Sequence, residues 1–77
     1  MQSMEVLTMT KEIADRIRAA RIKADMSQRE LGELLGYEGA NAQRTVTRWE
    51  HNERPVPLDK IRPLAKVLGL SIDDLIP

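Results

Sequence analysis

The sequence predicts an all-α domain of five short helices. Two observations carry this expectation. Apolar side chains recur at three- and four-residue spacing in successive segments, which gathers them on one face of a helix. Those segments also follow residues that favour helix starts (Thr10, Ser27, Asn41, Ser71), and two of them stop at glycines, Gly36 and Gly69, that suit helix ends.

In chain order, residues 1–9 have neither periodicity nor turn chemistry, and Glu5 is their one charge, so they read as a flexible leader ahead of a single domain at 10–77. From Thr10, a suitable N-cap, Ile13, Ile17, Ala20, Arg21 and Ala24 follow at helical spacing, with Glu12 and Asp15 near the positive end of the dipole. This first helix ends near Asp25. Arg21 is its anomaly, a cation on the apolar side.

Ser27 and Glu30 form a capping box, each side chain serving the other residue's amide. Leu31, Leu34 and Leu35 then form the apolar face of a second helix that stops near Leu35, before Gly36. Tyr37 to Asn41 reads as a turn, with Gly39 free to take positive φ and Asn41 capping the next helix.

The third helix, about Ala42 to His51, has two unlike faces. Ala42, Val46, Trp49 and Glu50 share one arc, apolar except for Glu50; Gln43, Arg44, Thr47, Arg48 and His51 occupy the other. The outward arc has two Arg, a Gln, a Thr and no acid, whereas a helix facing water ordinarily mixes Glu with Lys. Such a face suits the floor of the DNA major groove, where Arg forks onto guanine and Gln onto adenine. Trp49 belongs with the core, supplying burial to a domain that has no Phe.

Asn52 to Pro57 is a loop by its prolines. Ile61, Leu64, Ala65 and Leu68 make the stripe of a fourth helix closed by Gly69, and Pro63 inside it predicts either a kink or a start delayed to about Arg62. Ser71 caps a last short helix with Asp73 and Asp74 in its first turn and Leu75 and Ile76 packing back.

Composition narrows the function. A chain of this length buries only about 60% of its unfolded surface, so the core is small. There is no Cys and one His, which argues against a disulfide framework and a zinc cluster; no metal or cofactor is expected. No nucleophile–base arrangement or phosphate-binding glycine loop is evident, so an enzyme with a small-molecule substrate is not expected. No stretch reads as a membrane span or secretory signal, and a soluble, cytoplasmic protein is the default. With two aromatic residues the chain is poorly equipped to stack single-stranded bases, which leaves duplex DNA as the better partner. Twelve basic against twelve acidic side chains weighs mildly the other way, because phosphate neutralisation supplies most nonspecific affinity.

The text Ser27-Gln-x-x-Leu-Gly-x-Leu-Leu-Gly36, then Thr45-Val-Thr-Arg-Trp-Glu50, then Leu64-Ala-Lys-Val-Leu-Gly-Leu-Ser-Ile-Asp-Asp-Leu75 resembles the helix-turn-helix domain of the phage repressor and Cro family, the XRE type, over about Ile13 to Leu75. The resemblance implies a compact five-helix bundle of the lambda-repressor-like type, with helices 2 and 3 as the helix-turn-helix. It also implies sequence-specific duplex DNA binding by a transcriptional regulator, a repressor in the first instance, acting as a homodimer on a palindromic operator. Gln43, Arg44 and Arg48 would meet bases, with Thr47 on a thymine methyl or a phosphate. Gln28, Asn52 and Arg54 stand where the family contacts phosphate or ends its recognition helix. Arg29 either joins them or merely solvates the helix start. Tyr37 either bonds a phosphate or covers the core edge. Arg21 and Glu50 match a buried pair tying helix one to helix three, so the two anomalies explain each other. One departure stands out: nine residues separate Gly36 from Val46, about four more than the family carries there, which predicts a longer turn. The alternative function is a protein-interaction module of the same fold, such as an antitoxin or a phage regulator acting through a protein partner.

Overall fold

The computed structural model describes residues 10–76, so the expected leader at 1–9 lies outside the described residues. The chain there is all-α: α1 (Lys11–Lys23), α2 (Gln28–Leu34), α3 (Gly39–Glu50), α4 (Leu58–Leu68) and α5 (Ile72–Leu75).

The starts follow local chemistry. Thr10 Oγ1 accepts from the Ile13 amide, and Ser27 with Glu30 and Ser71 with Asp74 form reciprocal capping boxes. The first four helices end alike, on a left-handed residue: Asp25 (φ 57°), Gly36 (97°), Asn52 (57°) and Gly69 (71°). In each case the following amide reaches back across the last turn: Met26 to Arg21 O, Tyr37 to Gly32 O, Glu53 to Arg48 O and Leu70 to Ala65 O. These paired bonds satisfy the orphan carbonyls of the helix ends, and they set the direction in which the chain leaves each helix.

The core lies between the helices and includes Ile17, Leu31, Val46, Leu64 and Leu75, each fully buried. Val56, held between Pro55 and Pro57, plugs it from the loop. Arg16 ties α1 to α5, donating to the Asp74 carbonyl at 2.6 Å and pairing with Glu12 at 2.7 Å.

Four expectations are corrected. The third helix begins at Gly39, not Ala42, so Asn41 lies within it, and Glu38 occupies the cap position without a side-chain bond. Of the surplus residues 37–41, Gly39, Ala40 and Asn41 therefore extend the helix backwards, where a longer loop was expected, while Tyr37 and Glu38 stay outside it. Leu34 is 62% exposed, because α3 crosses α2 on the side of Leu31 and Gly32. The fourth helix starts at Leu58 and runs through Pro63, whose missing amide costs one bond near the exposed first turn and does not delay the helix. Ala24, placed on the apolar arc of the first helix, is exposed at its C-cap.

Candidate nucleic-acid interface

The position of α3 is fixed from beneath by a buried ion pair. Arg21 Nε donates to Glu50 Oε2 at 2.6 Å and Nη2 to Oε1 at 3.0 Å, while Nη1 donates to the Met26 carbonyl at 2.8 Å. The two side chains are 13% and 1% exposed. The hydrogen bond to Glu50, and with it the attraction of that carboxylate, raises the Arg21 pKa, against an opposing effect of burial. A forked guanidinium–carboxylate contact fixes angle as well as distance, so α1, the bend at Met26 and α3 are locked together.

Gln28 extends this knot to α2. Its Nε2 donates to Glu50 Oε1 at 3.2 Å, and its Oε1 accepts from Thr47 Oγ1 at 2.7 Å. The two bonds define which way the amide faces. Thr47 also lies 2.8 Å from the Gln43 carbonyl, so its single hydroxyl hydrogen is shared between Gln28 and its own helix. Both residues are half-buried at the junction of the two helices.

Above the knot, Gln43, Arg44 and Arg48 are exposed on the outer face of α3 and make no side-chain hydrogen bond or ion pair among the described residues. Val46, Trp49 and Ala42 face the core on the opposite side, as their spacing predicted. Arg29 at the start of α2 is exposed, with Glu33 one turn on at 3.5 Å. Arg54 is exposed in the loop after α3, and Asn52, half-buried, holds the left-handed turn that begins that loop. His51 is exposed, 3.9 Å from Glu53.

Tyr37 stands at the edge of the core. Its ring meets Trp49 edge to face at 5.9 Å between centroids, and the Lys60 ammonium lies 5.2 Å above it. Burial, and secondarily the charge of Asp59, pushes its phenol pKa up. Lys60 Nζ also donates to the Leu35 carbonyl at 2.9 Å, tying α4 to the end of α2. Sequence reasoning missed this lysine, since a single cation before an apolar stripe carries no distinguishing signal. Tyr37, Thr45, Arg48, Trp49, Arg54, Pro55 and Pro57 line an open cleft of about 340 Å³ beside α3, bringing two guanidiniums to one rim.

Two helices crossing closely over a short turn, the second buried on one side and polar on the other, define a helix-turn-helix domain. A family model described as helix-turn-helix matches residues 17–75, and the chain belongs to that family, in its XRE-type branch. No curated protein matches the chain by sequence. Among solved structures, the chain is similar to hydroxypropylphosphonic acid epoxidase from S. wedmorenis, at 30% identity with a TM-score of 0.75 over 92% of this chain. It spans only 36% of that enzyme's length. The DNA-binding domain of BldD is similar over 97% of this chain and 100% of its own, at 21% identity and a TM-score of 0.70, which is a likeness of fold.

Among the described residues no helix is long and apolar enough to cross a membrane. No group of three or more His, Cys, Asp or Glu there is placed to hold a metal ion.

Proposed function

We propose that this domain binds duplex DNA sequence-specifically as a transcriptional regulator, with the outer face of α3 in the major groove. The observation that carries this reading is the exposure of Gln43, Arg44 and Arg48 on a helix whose inner face is pinned by the Arg21–Glu50 pair. Side chains with no partner among the described residues are available to base edges, and a rigidly seated helix holds them in register. Thr47, half-turned toward α2, adds its methyl group or passes contact to Gln28. Gln28, Arg29, Tyr37, Asn52 and Arg54 flank this face and are assigned to the phosphates, with α2 lying across the backbone.

A cytoplasmic repressor acting as a twofold dimer on a palindromic operator is the form of regulator proposed. Its half-sites would lie about 34 Å apart. Ile72, 39% exposed, with half-buried Leu70 and Ile76, supplies the seam.

The likeness to an epoxidase of which this chain spans about a third favours one second reading: the fold as an interaction module, serving within or against another polypeptide. Selection from a random duplex pool, followed by mobility shift at low and moderate salt, separates the two. A groove reader enriches a short sequence and weakens as salt rises. An interaction module enriches nothing.

A further inference from the structure

The extra turn of α3 has its own functional consequence. The helix crosses α2 at Ala42, whose backbone lies directly against Gly32; Gly39 opens the helix in a left-handed conformation (φ 53°), and it projects past that crossing with Ala40 and Asn41. Asn41 is exposed, and its side-chain amide makes no hydrogen bond among the described residues; its backbone amide donates to the Glu38 carbonyl at 3.1 Å and its carbonyl accepts from Thr45 Oγ1 at 2.7 Å. Asn41, Arg44 and Arg48 are spaced by three and four residues and so form one row along the outer face. A carboxamide is the group that pairs with adenine through both N6 and N7 in the major groove.

We infer that Asn41 is a further specificity-determining residue, reading an adenine beyond the base read by Arg44, so that the lengthened helix recognises a longer half-site. The inference rests on the DNA-binding reading above. Glu38, exposed at the helix tip, supports an orientation toward base edges, because a carboxylate is repelled by phosphate oxygens but accepts from the cytosine amine. Asn41→Ala removes no side-chain hydrogen bond found among the described residues, and alanine is the better helix former.

The test compares selected duplex sequences for the parent, Asn41→Ala and Arg44→Ala, with helix content and melting temperature measured for each. The expected result is that Asn41→Ala melts like the parent and loses roughly ten- to a hundredfold of its preference at one A·T pair. That pair lies adjacent to the position relaxed by Arg44→Ala. If Asn41→Ala keeps the parental preference at every position, or weakens all sequences alike, the inference is overturned while the DNA-binding reading stands. If the parent itself enriches no sequence, the underlying reading fails with it.

Discussion

Gly32 on α2 lies so close to Ala42 on α3 that a Cβ placed on it would sit 2.5 Å from the Ala42 carbonyl oxygen. Contact with backbone cannot be relieved by turning a side chain, so the helices themselves must part. In an open helix, Gly→Ala stabilises by about 1 kcal/mol. Here the opposite sign is predicted: Gly32→Ala destabilises by about 1 to 3 kcal/mol through overpacking. Urea denaturation decides between the signs, and a gain in stability would mean that the crossing is looser than described.

The Arg21–Glu50 pair makes a larger prediction. Glu50→Gln keeps the shape but strands the Arg21 guanidinium, which is largely buried, and weakens its partnership with Gln28. Removing one partner of a buried pair costs about 3 to 5 kcal/mol. Arg21→Met together with Glu50→Met should recover much of that loss, because neither charge is then left alone. Thermal melts of the single and double variants test both statements, and a Glu50→Gln melt unchanged from the parent would contradict them.

Tyr37 gives a pH prediction. Its phenol pKa is raised in the folded state, so its contribution to stability is fully present below the unfolded value of about 10 and is lost as pH rises through the folded value. It is the one tyrosine in the sequence, and Trp49 the one tryptophan, so both signals are unambiguous. Absorbance titration of the folded protein should give a midpoint above that of the urea-unfolded chain, with Trp49 fluorescence quenched as the adjacent tyrosinate forms. Tyr37→Phe should flatten the loss of stability on the alkaline side. Coincident folded and unfolded midpoints would refute the burial of Tyr37.

Arg44 and Arg54 separate base reading from phosphate binding. Arg44→Ala should cost about 1 to 3 kcal/mol of binding free energy and relax preference at one base pair, whereas Arg54→Ala should weaken all duplexes similarly and lower the salt slope by about one. Competition binding across single-base variants at several salt concentrations reads both. Uniform loss from both variants would place Arg44 on phosphate as well.

Much of this was legible in the residues. Glu50 and Arg21 each break an apolar arc and the family resemblance implies their pairing, so the ion pair under α3 could be anticipated before any coordinates, whereas the bonds of Gln28 to Glu50 and Thr47 could not. The capping box at Ser27 and the cap at Ser71 were equally readable, because their chemistry is local, and the resemblance already placed Asn52 at a helix end. The start of α3 was not. Gly39 takes the positive φ that its residue type allows, 53°, but does so as the first residue of the helix, and Asn41, whose capping propensity pointed to a later start, is drawn inside it beside the crossing at Gly32. Nor could spacing tell that Leu34 faces solvent, since Leu31, Leu34 and Leu35 satisfy the same period and only the side on which α3 crosses decides between them. Lys60 and Arg16 bond to backbone carbonyls far away in sequence, which no local pattern encodes.

The account turns on which surface of the molecule meets DNA. Its most direct test is an amide chemical-shift titration of the isotope-labelled protein with its selected duplex. The account predicts that the largest changes fall on α3 from Asn41 to Arg48, with smaller ones at Gln28, Arg29 and Arg54 and at the seam around Ile72 where two copies pair, while the outer face of α1 stays still. Changes centred on α1, or none at any duplex concentration in low salt, would contradict it.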